Sequence, residues 1–342
     1  MVPDTCTTSK RSPRVRAPSI VKRGRPGSIS LFPPVLRWAL AGLLSTSVLL
    51  VLLAALGSNV SSRQELSTPV PGAADALLEG RLPMEVNARV DYWIRRFLSE
   101  DRESFEAYLM REGLYGGIIR GQLQARGMPE ELLYLAMIES GFSPSASSPV
   151  SSAGGLWQFL GATARSYGLA VDYWVDERRD PIRATDAALD YLEELYGELG
   201  SWYLAAAAYN AGPLRVQEAL RRSGASAEDG EEIYWKITEH LPRQTSDYVP
   251  KILAATLLAE QREHFGIEVE VALPYLFDQV LVPAGTPLTT VARALDLPPA
   301  LIRELNPHLI RGVTPPGRSF PVRIPLGESQ RLVVSLAPGM ML

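Results

Sequence analysis

Glu139 closes a strongly apolar run, Leu132 to Ile138, and is followed at once by Ser140-Gly141. A carboxyl group so placed stands near the end of a core helix, where apolar neighbours raise its pKa and keep it protonated near neutral pH. That is the state a general acid requires. The competing reading is a solvated glutamate at a helix end, the usual place for an acid. Downstream, Gly154-Gly155 permits close backbone approach, Trp157 and Phe159 offer flat apolar faces, and Gln158 supplies both donor and acceptor. The combination suits a sugar, or else it is a tight turn carrying two core aromatics. Asn210 follows Tyr209 at the end of the alanine-rich stretch Leu204 to Ala208 and precedes Ala211-Gly212-Pro213, where one reading is simply a helix cap. A further polar cluster, Arg243 to Asp247, leads into Tyr248-Val249.

These residues need helices to position them. Val86, Val90, Trp93, Ile94 and Phe97 recur at intervals of three and four, as one buried helix face requires. Pro129 with Glu130-Glu131 predicts a helix start, and the segment runs through Leu135 and Ala136 to Glu139. Asp180-Pro181 predicts another start, and Ser201 is a good cap for Trp202 to Tyr209. The expectation is a mainly α domain of about eight helices over residues 81–265. Beyond Phe265 the texture changes to β-prone stretches at Val280 to Val282 and Phe320 to Ile324. They flank helical segments at Leu288 to Leu295 and Pro299 to Leu305, which predicts a small βααβ unit over residues 274–330. On this reading the fragment 80–265 folds by itself.

Eight of the 34 basic residues and only one of the 38 acidic residues precede position 58, so the remainder carries a net charge of about −11. An acidic body argues against nucleic-acid binding, which needs cations to displace phosphate counterions. Trp38 to Leu56 is a 19-residue run without a charge, predicting a transmembrane helix within residues 35–57. The basic tail, residues 1–34, stays in the cytoplasm by the positive-inside rule, and everything after the span is exported to the periplasm. A long cleaved signal peptide is the other reading, since Ala55-Leu56-Gly57 offers small residues at a processing site. Residues 58–80 mix Ser, Pro and Gly and read as a linker. The lone cysteine, Cys6, precedes the apolar run, which leaves the exported part without a disulfide or a cysteine nucleophile. His240, His264 and His308 are scattered, so neither a metal site nor a cofactor is expected.

Taken together and in order, Glu139-Ser140, Gly155-Leu156-Trp157-Gln158-Phe159, Ala208-Tyr209-Asn210-Ala211-Gly212 and Arg243 to Val249 resemble the motifs of the lytic transglycosylases of glycoside hydrolase family 23. That family shares the goose-type lysozyme fold. The resemblance covers roughly residues 83–260 and includes Trp174 to Pro181. It departs after Phe159, where Leu160-Gly161-Ala162-Thr163 stands in place of the family's usual Met-Pro-Gly-Thr. It implies a peptidoglycan substrate, Glu139 as the catalytic residue, and substrate binding by Ser140, Gly155, Trp157, Gln158, Phe159, Tyr209 and Asn210. Tyr248 is implied to hydrogen-bond near the catalytic carboxyl, where its other reading is a ring that anchors a helix.

The implied mechanism uses one carboxyl where ordinary glycosidases use two. Glu139 protonates the oxygen between N-acetylmuramic acid and N-acetylglucosamine, then takes the proton from the muramic C6 hydroxyl as a 1,6-anhydro ring closes. Asp172, Asp176, Glu177 and Asp180 read as a solvated loop with a helix cap, not as a second catalytic acid. A lysozyme-type hydrolase and a non-catalytic peptidoglycan-binding scaffold are the alternatives. The segment Asp278 to Leu326 resembles a LysM module, carried by Pro287 to Ala292 and Leu301 to Pro307. It lacks the usual Asp after Gly285 and carries a long insert, His308 to Ser319. The resemblance implies glycan binding at Asn306, while a degenerate unit packed on the helical domain is the other reading.

Overall fold

The computed structural model describes residues 80–225 and 227–336. The expected cytoplasmic tail, transmembrane helix and most of the linker lie outside the described residues. Among the described residues no helix is long and apolar enough to cross a membrane.

The helical part runs α1 (Ala88–Leu98), α2 (Arg102–Ala125), α3 (Leu133–Ser140), α4 (Gly161–Ser166), α5 (Pro181–Leu199), α6 (Trp202–Ala211), α7 (Pro213–Ser223), α8 (Ile233–Ile237), α9 (Arg243–Ser246) and α10 (Tyr248–Glu260). Among the described residues of this part there are ten helices where about eight are expected, and three of them, α4, α8 and α9, are six residues or shorter. Local chemistry sets several ends where the sequence predicts them. The Asp180 side chain accepts from the N–H groups of Ile182 and Arg183, with Pro181 in the first turn of α5, and Ser201 accepts from Leu204 N at the start of α6. The Pro129 start holds as well, although the first turn, Glu130–Leu132, is a 3-10 helix. Val86 departs from its expected place, since α1 begins after it and leaves it 51% exposed.

Helix α6 lies at the centre. Leu204 to Ala208 are all buried, and four alanines in succession let neighbouring helices approach closely while covering apolar area. The N-terminus of α6 is closed by a distant group. Glu231, itself buried, accepts from Trp202 N at 2.7 Å, Tyr203 N at 2.8 Å and the Ser201 hydroxyl at 2.5 Å. A carboxylate is favoured there by the helix dipole and the unpaired amides.

The C-terminal part has the expected βααβ order: β1 (Asp278–Val282), α11 (Leu288–Ala294), α12 (Pro299–Leu305) and β2 (Phe320–Ile324), followed by α13 (Ser329–Leu336). The strands pair antiparallel with Val280 opposite Val322. Val282, Leu288, Val291, Ile302, Val322 and Ile324 form its small core. Val175, from the loop before α5, packs into this second core, so the helical part supplies one of its residues.

Candidate active site

Glu139 sits in the last turn of α3, which ends at Gly141 in the left-handed conformation (φ 56°). Phe142 follows, also at positive φ (57°) and fully buried. Two successive left-handed residues turn the chain sharply at the end of α3, which places the Phe142 ring in the core. A side chain at Gly141 would meet the Tyr108 ring at 2.4 Å, and the Gly141 carbonyl accepts from Arg111 Nε at 2.6 Å. Neither Tyr108 nor Arg111 carries a signal in the motifs.

The Tyr248 hydroxyl, at the start of α10, donates to Glu139 Oε1 at 2.6 Å. Burial pushes the Glu139 carboxyl up to about 6, while the Tyr248 hydrogen bond and the positive charge of Lys251 act in the opposite direction. Burial together with the adjacent carboxyl lifts the Tyr248 phenol well above its ordinary value, so it stays a donor. Lys251 lies one turn further along α10, with its ammonium 4.4 Å from the Trp93 ring centre.

The strap 143–159 is pinned across the end of α3. Ser140 Oγ donates to the Leu156 carbonyl at 2.7 Å and accepts from Ser143 N at 3.2 Å. Gln158, at φ 50°, donates from Nε2 to the carbonyls of Gly155 (2.8 Å) and Ala146 (3.3 Å). Tyr209, from α6, donates to the Trp157 carbonyl at 2.8 Å, and Asn210 Oδ1 accepts from Thr245 Oγ1 at 3.0 Å. Asn210 is therefore tied to α9 and is not the cap of its own helix, which Gly212 ends.

Two expected sugar platforms are not surfaces. Trp157 is 0% exposed, with its indole N–H given to Thr185 Oγ1 at 3.0 Å, and Phe159 is 3% exposed against the Tyr209 ring. Both rings belong to the core cluster, where burying an aromatic ring removes a large apolar area from water. The acidic stretch is also corrected. Asp176 and Asp180 are buried. Asp176 holds Arg178 through two bonds of 2.8 Å, and Arg178 in turn donates to the carbonyls of Ser152 (2.9 Å) and Phe159 (3.0 Å). Glu177 keeps the partly exposed character expected of it, accepting from Ala170 N.

Gly155 makes this arrangement possible, since a Cβ there would lie 1.7 Å from the Arg178 carbonyl oxygen, at φ 81°. The obstacle is backbone and cannot rotate away. Gly155→Ala is expected to destabilise the fold by about 2–5 kcal/mol, combining left-handed strain with overpacking. Chemical denaturation checks this, and a cost below about 1 kcal/mol would show that the strap is free to move.

The helical part and the βααβ part each match a known domain. Residues 117–231 match the family model described as Transglycosylase SLT domain, and residues 276–339 match that described as Lytic transglycosylase MltD, LysM-like domain. The chain therefore carries an SLT transglycosylase domain followed by a LysM-like domain of the MltD type. Among characterised proteins it is 37% identical over 152 residues to membrane-bound lytic murein transglycosylase D of Escherichia coli strain K12, covering 44% of this chain and 32% of that one. It is also 40% identical over 100 residues to a putative tributyltin chloride resistance protein of Alteromonas sp. strain M-1, covering 29% and 48%. The match thus spans about a third of the length of the first relative. The solved 70 kDa soluble lytic transglycosylase of Escherichia coli superposes with a TM-score of 0.38 at 19% identity, covering 53% of this chain and 32% of that one.

Proposed function

We propose that this chain is a peptidoglycan lytic transglycosylase that cleaves the bond between N-acetylmuramic acid and N-acetylglucosamine, leaving 1,6-anhydro ends, with Glu139 as its single acid and base. The observation that carries the reading is the Tyr248 to Glu139 hydrogen bond on a carboxyl held near pH 6. Tyr248 donates to Oε1, which leaves Oε2 to carry the transferable proton. A group poised near neutrality can give that proton to the glycosidic oxygen and, once ionised, accept one from the C6 hydroxyl. Among the described residues none of the charges acting on Glu139 is a carboxylate. A nucleophilic partner at about 5 Å, as in a retaining two-carboxylate glycosidase, would act on it strongly. The substrate-binding roles expected of Ser140, Gly155, Gln158, Tyr209 and Asn210 fit a groove along the strap and the end of α6, with Trp157 and Phe159 supporting it from below. The proposed setting is the periplasm, with residues 81–265 as the catalytic part and a membrane anchor within residues 35–57.

Digestion of purified sacculi followed by mass spectrometry of the released fragments tests this. Anhydro-muramic ends support it, reducing ends point to a hydrolase, and no release points to a binding scaffold.

The pH dependence gives a second test. The acid form of Glu139 must be present at the first step, so kcat/KM falls as pH rises through about 6. Tyr248→Phe removes a hydrogen bond that lowers the Glu139 pKa, so this alkaline limb should move upward, by roughly one unit for a bond to a charged group. A limb that stays in place or moves down would show that Tyr248 does not act on the titrating carboxyl.

A further inference from the structure

A cleft of about 540 Å³ opens between the helical and βααβ parts, with Tyr115, Ser145 and Arg179 on one wall and Arg303, Asn306 and Arg311 on the other. Its charge is unbalanced, since three arginines line it and Glu304 is the one acidic residue in its lining.

These arginines are also poorly used by the protein. The Arg179 Nε is buried without a hydrogen-bond acceptor, the Asp176 carboxylate being 3.9 Å away. Arg311 spends only Nε, on the Tyr173 carbonyl at 3.2 Å, and its Cζ stands 4.0 Å from the Tyr173 ring centre, so that both terminal nitrogens remain available. The Arg303 side chain is exposed at the cleft wall. By contrast, Arg178 and Arg323, on either side of the same seam, are each paired with a buried carboxylate. Unspent, planar donors converging on a concave site are suited to a carboxylate, which can accept two parallel N–H bonds from one guanidinium. His308, behind the wall, adds no charge near neutrality, because burial holds its pKa below the ordinary value.

Ser145 belongs to the loop that leaves the end of α3 just after Glu139, and the next residue, Ala146, accepts from Gly155 N (2.9 Å) and Gln158 Nε2 (3.3 Å). One short loop therefore borders both the proposed groove and the cleft. Where a stem is attached, the lactyl carboxyl of muramic acid is taken up in the amide bond to the peptide, so on stem-bearing strands the free carboxylates belong to the peptides.

We propose that this cleft binds a carboxylate of the peptide stem of the strand being cleaved, so that the LysM-like part contributes to choosing stem-bearing substrate. The inference rests on the peptidoglycan reading above. The test uses the full chain, the double variant Arg303→Gln/Arg311→Gln, and a soluble muramyl tetrapeptide in free-acid and carboxyl-amidated forms. By calorimetry the wild type should bind the acid form about 10-fold or more tightly than the amidated form, and the double variant should lose that difference. Arg303→Lys, which keeps the charge, should recover part of it. The ratio of kcat/KM on strands with free-acid stems to that on strands with carboxyl-amidated stems should fall about 10-fold in the double variant. Equal binding of both forms by the wild type, or an unaltered preference in the double variant, overturns the proposal. Binding needs no catalysis, so a failure of the transglycosylase reading would appear as missing anhydro ends whatever the calorimetry shows.

Discussion

Glu139→Gln is expected to lower the release of anhydro-muropeptides from sacculi by about 10³-fold or more, because general acid and general base steps each contribute about 10²- to 10⁴-fold and one side chain carries both. Glutamine keeps the shape of the group and can still accept from Tyr248, so pelleting of the variant on sacculi should match the wild type. A second effect has the opposite sign. The Glu139 pKa is raised from 4.5 to about 6 by burial, so the folded state binds the proton more tightly than the unfolded chain. Stability therefore falls as pH rises from about 4.5 to about 6, by on the order of 1–2 kcal/mol, and stays lower above that window. Removing the ionisable group should raise the melting temperature at pH 7.5 while abolishing activity, a known trade at catalytic positions. Glu177→Gln is the control. Glu177 accepts from Ala170 N through one oxygen, which glutamine also offers, so release should stay within about two-fold of the wild type, as for surface changes generally. Near-normal release by Glu139→Gln would end the single-carboxylate mechanism, and parallel losses of release and pelleting would indicate a binding or folding role.

Asp180→Asn should produce the largest loss of stability, about 3–5 kcal/mol. Asp180 is 3% exposed and Arg323 is 7% exposed. Arg323 Nη2 donates to both Asp180 oxygens, at 2.9 and 2.6 Å, while the guanidinium lies 4.7 Å from the Phe277 ring centre. The same carboxylate caps α5, so the substitution weakens a helix start and leaves a buried cation without its counter-charge. At about 2–4 °C per kcal/mol for a domain of this size, the melting temperature should drop by roughly 10 °C. The double variant Asp180→Asn/Arg323→Met should recover much of that, because no charge is then stranded. If the single variant melts within about 2 °C of the wild type, this pair does not hold the two parts together. The pair bears on truncation as well. A chain ending at residue 265 would keep Asp180 and Val175 but lose Arg323 and the second core, so the independent folding expected of fragment 80–265 meets a buried seam. Backbone bonds from Ala272 N to the Met110 carbonyl and from Tyr275 N to the Leu114 carbonyl, both 3.0 Å, extend that seam along α2.

Much of the scaffold was legible because its signals are local. Asp180-Pro181 and Ser201 announce helix starts through atoms two or three residues away, and the β-prone stretches near 280 and 322 stand out against helical surroundings. The motif residues around Glu139 were legible as a group, but their individual roles were not. Trp157 has the same side chain whether it stacks on a sugar or fills a core. Thr185, 28 residues away, decided for the core by taking its N–H. Asp176 and Asp180 look solvated in an acidic run, and they are buried because Arg178 and Arg323 neutralise them there.

By itself the sequence determined the helical and βααβ halves, their main caps, and a glutamate at the end of an apolar helix, since each depends on periodicity or on bonds spanning a few residues. The family resemblance implied that Tyr248 bonds near Glu139, and the tertiary structure supplied that bond across 109 positions; only the tertiary structure decided that Glu231 closes α6 from 28 to 30 positions away and that Arg323 locks to Asp180 across 143. Those contacts depend on where separate elements are brought by packing, and a pKa or a buried ion pair exists only once the low-dielectric surroundings are assembled.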